Sequence, residues 1–392
     1  MTPGPTAFEA DAVRVLAARW LPCLGEGDFV CSPVGLWLAL AAVASGARGR
    51  TAEELRGLLG VDGEAAAVAV TAVGRRLAVT EGVVSAAGVW SGVALRDAFR
   101  RGLPDVEFGV LRGAPARFEL PDEVSGATDD VSLGEVPAVA QDELDDWIRR
   151  ATGGRVQRLP LGLDGSEDLV LVNALALKAS WLTAFPAHLT RDEPFTDGCG
   201  DTRPVPTMRR RIPADAVWSV DGVTVVELPC AGEEAARVRF VLGRPGAGPA
   251  DVLPAAWAAP SARKPLAADA ADLTLPRFTL RTRTGADAHL ASLGVGRASR
   301  PGADFSGLSP AGLFLSAVVQ EALVEVAEEG VEAAAVTQVT MTRSAAPARR
   351  QVVERVAFDR PFGLIVLDAS GELPLFAGWR RSAPGGAGSG AP

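Results

Sequence analysis

The chain of 392 residues predicts an α+β fold. Helix-period segments concentrate early and strand-length apolar runs follow one another late. Neither a regular strand–helix alternation nor an internal repeat is present, which argues against a parallel α/β sheet or a solenoid. Hydrophobic residues make up 48% of the chain and charged ones 22%, the balance of a packed chain rather than a disordered one. No linker-like stretch divides residues 1–382, so a single domain is expected there. Residues 383–392, rich in Gly, Ala, Pro and Ser, are expected to be a disordered tail.

Residues 7–21 place Phe8, Ala12, Val15, Leu16 and Trp20 near helical spacing and predict an amphipathic helix. Phe29 and Val30 read as a short apolar stretch leading through Cys31 to Ser32-Pro33. Ser caps a helix well and Pro suits its first position, so a buried helix is expected from there through Trp37 and Leu40, ended by Gly46 and Gly49. Thr51-Ala52-Glu53-Glu54 has a capping-box pattern and predicts the start of the next helix. Residues 79–120 show no clear period. A helix is expected over residues 142–151, with Leu144, Trp147 and Ile148 on its apolar side and Gly153-Gly154 closing it. Residues 169–177 form an apolar run interrupted only by Asn173, as a buried strand would. Further strands are expected at Val205 and Val217 and over residues 223–228, 238–242, 273–281, 313–326, 352–357 and 362–367.

A net charge of −9 without a basic stripe argues against nucleic acid or other polyanions as partners. No segment reaches 18 uninterrupted apolar residues and the N-terminus lacks a secretory pattern. A cytoplasmic protein without membrane contact is therefore expected, with secretion left open because a start codon could lie upstream. Cys23, Cys31, Cys199 and Cys230 match no zinc spacing and are read as free, mostly buried thiols, Cys23–Cys31 being the one disulfide that stays open.

Nothing recommends an enzyme. A nucleophilic triad would need His188 or His289, and neither neighbours a nucleophile elbow, so both read as structural surface residues. Walker, G-x-G-x-x-G and H-E-x-x-H motifs are missing, and no metal or cofactor is expected. The carboxylate pairs Glu328-Glu329 and Asp145-Asp146 are read as solvated. Alanine and arginine are inflated, as in a GC-rich genome, so the residues that resist the skew inform most: two lysines, one asparagine, no tyrosine.

One segment stands out. In residues 331–342, one alternate set is Val331, Ala333, Ala335, Thr337, Val339 and Met341, small or apolar throughout. The other is Glu332, Ala334, Val336, Gln338, Thr340 and Thr342, mostly polar. That is the period of a half-buried strand, about 40 Å long if extended. Arg343-Ser344-Ala345-Ala346-Pro347-Ala348-Arg349-Arg350 follows, a small, basic stretch expected to be an exposed, protease-sensitive loop. An ordinary long strand before a surface turn would show the same pattern.

From about residue 7 to 381 the chain resembles the serpin family. Gln320-Glu321-Ala322 and Glu328-Glu329-Gly330-Val331-Glu332-Ala333-Ala334-Ala335-Val336-Thr337 resemble the family's approach to its reactive loop and the hinge of that loop. Val356-Ala357-Phe358-Asp359-Arg360-Pro361-Phe362 and Pro374-Leu375-Phe376-Ala377-Gly378 resemble its C-terminal motifs. Asn173, Lys178, Trp181 and Phe185 fit its central strand and breach, and Ser32-Pro33 its shutter. Each match is weak alone; their order is specific. The chain departs by carrying Val331 where inhibitory members have Thr or Ser, Gln320 where many have His, Ala176 for an aromatic and Gly363 for a bulky residue.

The resemblance implies helices packed around three β-sheets with an exposed reactive loop, and a monomeric suicide inhibitor of serine proteases. The target forms an acyl-enzyme and the cleaved loop inserts as a central strand. Roughly ten backbone hydrogen bonds plus apolar burial give on the order of 10–20 kcal/mol, so the uncleaved fold would be metastable. Val331 is uncharged and strand-favouring, and insertion should survive it. Family spacing from the hinge glycine lands on Ser344 as the specificity residue, implying Ser344-Ala345 and an elastase- or subtilisin-like target. A hinge one residue shorter gives Arg343-Ser344, the bond expected here, and a trypsin-like target; counting back from Pro361-Phe362 points nearer Arg349 or Arg350. A non-inhibitory carrier or chaperone and an inhibitor of a cysteine protease stay open as rivals.

Overall fold

The computed structural model describes residues 7–111, 138–139, 141–158, 167–331 and 351–385. In chain order its first half holds α1 (Ala7–Trp20), β1 (Phe29–Cys31), α2 (Pro33–Ala44), α3 (Gly49–Leu59), α4 (Gly63–Val79), β2 (Val83–Ser91), α5 (Asp97–Arg101), β3 (Glu107–Leu111), β4 (Ala138–Val139), α6 (Gln141–Ala151), β5 (Leu169–Leu177) and β6 (Ala179–Ser180). The remainder is mostly strand: β7 (Arg191–Thr196), β8 (Thr202–Pro213), β9 (Val217–Val220), β10 (Val223–Pro229), β11 (Arg237–Leu242), the single-turn α7 (Pro249–Val252), β12 (Lys264–Pro265), β13 (Ala270–Pro276), β14 (Phe278–Gly285), β15 (Leu315–Val326), β16 (Gly330–Val331), β17 (Val353–Ala357), β18 (Phe362–Leu367) and β19 (Pro374–Arg380). Most expected elements stand within a few residues of where composition placed them.

Three sheets result. One runs β1-β19-β18-β11-β10-β9-β12, and a smaller one β17-β13-β8-β7. The third runs β4-β3-β2-β5-β15-β16-β6, with β14 also paired to β15. Every residue of α2 is buried, as a helix that is apolar all round must be, and it lies between β19 and β5. The alternation of β5 then divides two cores. Leu169, Leu171, Leu175 and Leu177 face the main core, while Val170, Val172 and Ala174 face a smaller one beneath α6. There Trp90 meets Trp147 edge-on with centroids 4.6 Å apart.

Several expectations change. Thr51 and Glu54 do not cap a helix: α3 begins two residues earlier, at Gly49. Thr51 Oγ1 accepts from the Asp304 backbone N–H and Glu54 Oε2 from that of Arg297, so a distant segment takes the oxygens that a local cap would use. Residues 273–281 are two strands in different sheets, broken at Arg277, because β13 pairs with β8 and β14 with β15. The unassigned region holds β2, α5 and β3. His289 is half-buried and its Nδ1 accepts from Trp20 Nε1 at 3.0 Å; only His188 is a surface residue. Asp145 is buried and accepts from Gln141 Nε2, so that pair is not simply solvated. Ala383 and Pro384 pack down, with Ala383 O accepting from Arg380, so order extends past residue 382.

All four cysteines are free, without the Cys23–Cys31 bridge. Cys31 and Cys230 are buried; burial pushes the Cys31 thiol far up and that of Cys230 to about 12, so neither is a ready nucleophile. Cys199 is exposed. The 31-residue helical stretch Gly49–Val79 is long and apolar enough to cross a membrane by composition, but it breaks at Gly60, in the left-handed region at φ 76°, into α3 and α4. Both insert Leu55, Leu58, Leu59, Val70 and Val73 into the main core.

The sheets meet at an aromatic junction. Phe362 on β18 lies edge-on to Phe278 of β14 at 5.2 Å and to Phe358, just past β17, at 5.4 Å. Phe362→Ala is expected to lower the unfolding free energy by about 3–5 kcal/mol, read from urea denaturation followed by tryptophan fluorescence.

Candidate functional site

Two places bring the sequence-derived candidates together, both on the β5–β15 pair. These strands are parallel neighbours: Leu169 lies opposite Leu315, the register shifts by one residue at Ser316, and it then runs unbroken from Val170 opposite Ala317 to Ala176 opposite Leu323. No other strand lies between them.

At mid-length Asn173 sits directly opposite Gln320, both turned toward the start of α2. Gln320 Oε1 accepts from Ser32 N at 2.6 Å, and its Nε2 donates to Ser32 O at 2.9 Å. The Ser32 hydroxyl donates to Leu375 O at 2.7 Å and accepts from Gly35 N at 3.1 Å, which caps α2 as the sequence anticipated. Ser32 therefore joins β15, α2 and β19 through one buried residue. Pro33, next to it, opens the helix where no N–H is needed. Asn173 Nδ2 donates to Ala86 O on β2 at 3.4 Å, while its Oδ1 has no partner among the described residues. Gly35 belongs here although the sequence did not mark it: a Cβ there would lie 1.9 Å from Asn173 Oδ1.

Glu321, next along β15, faces the opposite side. It is fully buried, with Arg281 Nε at 3.5 Å and Arg283 Nε at 3.4 Å on the adjoining β14. Neither oxygen has a hydrogen-bonding partner among the described residues. Burial raises its pKa above the usual carboxylate range against the pull of Arg283 and Arg281.

The second place is the end of β15. After Val326 the chain turns, with Ala327 N donating to Gly330 O at 2.9 Å, and returns as β16. Val331 pairs with Val326 on one side and Ala179 on the other, and Gly330 with Ser180, all antiparallel. Val331 is wholly buried. Gly330 is required by close approach, since a Cβ would stand 2.1 Å from Ala179 O. Trp181 clamps the turn: its backbone N donates to Glu329 O and its Nε1 to Ala327 O, each at 2.9 Å. Phe185 N donates to Glu328 O at 2.7 Å. The Glu328 side chain accepts from Thr190 Oγ1 at 2.8 Å and meets Arg277 Nε at 3.3 Å, so it is engaged rather than solvated. Lys178 is exposed, its backbone N donating to Gly82 O at 2.7 Å. The candidates Glu332, Ala333, Ala334, Ala335, Val336 and Thr337, and Arg343, Ser344, Ala345, Arg349 and Arg350, lie outside the described residues.

The described residues thus form three sheets, with a parallel central pair and a short strand begun at one end of it. Residues 125–382 match the family model described as serpin, serine protease inhibitor. An uncharacterised serpin-like protein of Thermococcus kodakarensis is 30% identical over 384 residues, 95% of this chain and 83% of that one. The native state of tengpin, a thermophilic serpin, is similar in structure at a TM-score of 0.76 and 21% identity, over 96% of this chain and 93% of that one. Human thyroxine-binding globulin, solved in complex with thyroxine, is similar at a TM-score of 0.73 and 23% identity, over 97% of this chain and 98% of that one. The chain belongs to the serpin family, whose members are generally protease inhibitors.

Gln320→Leu would strand the Ser32 N–H and C=O in the core and is expected to cost roughly 2–4 kcal/mol of unfolding free energy in urea. Glu321 acts in the other direction. Its raised pKa means that the folded chain holds the proton more tightly than the unfolded one. Its contribution therefore falls as pH rises from the ordinary carboxylate range through the raised value. Glu321→Gln should be more stable than the parent at about pH 7–8, and the gain should shrink toward about pH 4, in urea unfolding at stepped pH.

Proposed function

We propose that the chain is a suicide inhibitor of serine proteases, trapping its target by inserting the cleaved loop between β5 and β15. The observation that carries this is the pairing of Val331 with both Val326 and Ala179. It starts an antiparallel strand at the mouth of the central pair. Were the strand continued inward in this register, Ala333 would fall between Leu177 and Val324, Ala335 between Leu175 and Ala322, and Thr337 between Asn173 and Gln320. Those β5 and β15 side chains face the main core and the shutter. The set Val331, Ala333, Ala335, Thr337, Val339 and Met341 would thus be the inward one, and it is the small or apolar set. Glu332 would fall on the other side.

The chemistry belongs to the target. Its serine Oγ attacks the carbonyl carbon of Arg343, passing its proton to the histidine base. The C–N bond to Ser344 breaks, the histidine protonates the leaving amine, and an ester links target to inhibitor. Insertion of the freed strand would then carry the ester away before water can hydrolyse it. Val331 in place of a smaller hydroxyl residue is no obstacle, being buried in strand geometry already. A carrier role is the second reading, favoured by the likeness to a thyroxine complex. The cytoplasm is the proposed location and the monomer the proposed working state.

Mixing the protein with trypsin, and separately with an elastase-like, a subtilisin-like and a papain-like protease, tests the reading on denaturing gels with mass spectrometry of the released C-terminal peptide. A stable covalent band with cleavage after Arg343 is expected for trypsin. Cleavage after Ser344, Arg349 or Arg350 within a covalent band would move the bond, and a band with the papain-like enzyme alone would move the target class. Loop cleavage without a complex for every protease would overturn the inhibitor and leave the carrier. Ala333→Glu, a charge on the inward set, is expected to turn inhibitor into substrate, cutting the covalent band at least tenfold at equal cleavage. A band of undiminished yield would refute the proposed register.

A further inference from the structure

The small sheet β17-β13-β8-β7 carries three consecutive arginines, Arg209-Arg210-Arg211, on β8. Strand alternation divides them. Arg210 turns to one face and lies over the Phe185 ring at 4.8 Å, while Arg209 and Arg211 take the other. On that second face Asp272 of β13 stands directly opposite Arg211 on one side and Arg355 of β17 on the other. The acid is already engaged: Arg209 Nε donates to its Oδ1 at 3.2 Å and Arg209 Nη2 to its Oδ2. Those bonds, with Arg211 and Arg355 close by, hold the Asp272 carboxyl below the usual carboxylate range. Arg211 and Arg355 are exposed, and neither has an ion pair or hydrogen bond among the described residues. Glu193 of the edge strand β7 is occupied by Arg191. Three guanidinium groups against one carboxylate leave two positive charges on this face of a chain whose net charge is −9. Adjacent strands lie about 4.8 Å apart, so the two unpaired arginines stand on backbones roughly 10 Å apart.

We propose that Arg211 and Arg355 form a docking row for an acidic surface patch on the target protease, selecting which targets are met fast. The identity of the partner rests on the inhibitor reading; the row itself does not. Its place supports the partner. Arg355 is eleven residues beyond Ser344, at most about 37 Å along an extended chain, which is comparable to the breadth of a small domain. A polyanion fits less well, because two free cations fall short of the about six to ten contacts of a phosphate-binding surface, and the chain around them is net negative. Exposed charges of this kind act on the rate of encounter and on its salt dependence more than on the finished complex.

Anionic and cationic trypsin are probes that share a preference for Arg and differ in surface charge. At about 50 mM NaCl the intact protein should form the covalent complex with anionic trypsin about tenfold faster than its Arg211→Glu/Arg355→Glu variant, and the gap should close to about twofold or less at about 0.5 M. With cationic trypsin the variant should match or exceed the parent, which also shows that it folds. Arg211→Gln/Arg355→Gln, which removes charge and adds none, should lose about threefold with anionic trypsin alone. Equal rates for parent and both variants with anionic trypsin at low salt, or a Gln variant that loses equally with both trypsins, would overturn the row. Heparin held by the parent and not by the variants, with equal trypsin rates, would give the row to a polyanion and overturn it as well. Both trypsins with the active serine replaced by alanine, captured on a biosensor, separate this result from the inhibitory one. Salt-sensitive binding of the inactive anionic form that the variants lose, without a covalent band in the active mixtures, overturns only the inhibitor. Covalent bands formed at equal rates by parent and variants overturn only the row, and neither binding nor bands overturns both.

Discussion

The direct pairing of β5 with β15 is the constraint on which the rest of the molecule depends. Parallel strands need a long connection, and here residues 178–314 supply it, carrying β9 to β12 of one further sheet and β7, β8 and β13 of the other. Because the two strands touch, the next segment cannot lie between them; the chain turns at residues 327–329 and leaves Gly330 and Val331 paired at the mouth. The central pair is thus closed along its length and met at one end by the two residues of β16.

Behind the pair lies a local, buried clip. Gln320 grips both backbone groups of Ser32, Ser32 reaches Leu375, and the helix that Ser32 caps is enclosed by the sheets it joins. This clip ties β15, and not β5, to the helix and to β19. The opposite face of the same strand carries Glu321, a buried carboxylate held at ion-pair distance from two arginines. Two adjacent residues on one strand therefore pull in opposite senses, one tying the sheet to the helix behind it and the other burdening the sheet with a buried charge. The unsatisfied Oδ1 of Asn173 adds a second, smaller cost at the same level.

Much of the site was legible in the chain because it rests on residues with narrow geometric tolerances. Ser32-Pro33 announced a capped, buried helix, and Asn173 announced itself as the one polar residue in an apolar run. Gly330 is fixed by Ala179 O, which no side chain could approach so closely. Gln320 and Glu321 were visible only through the Gln320-Glu321-Ala322 resemblance; the bidentate hold of Gln320 on Ser32 could not be guessed from a position 288 residues away, nor the burial of Glu321 beside two arginines. Gly35 gave no signal, looking like any glycine in an Ala-rich helix. The failed capping box has the same origin: Thr51 and Glu54 had two sets of possible partners, and a distant segment won.

Periodicity and composition by themselves determined the class of fold, the places of most strands, the buried helix behind Ser32 and the alternation of residues 331–342. These are short-range properties, set by how each residue type tolerates a helix, a strand or a cap. Only the tertiary structure decided that β5 and β15 are neighbours, that residues 273–281 divide between two sheets, and that Val331 is sealed between Val326 and Ala179. Such facts depend on which of many apolar surfaces meet. Burial is non-directional, so one strand pattern fits many partners until packing and register choose among them.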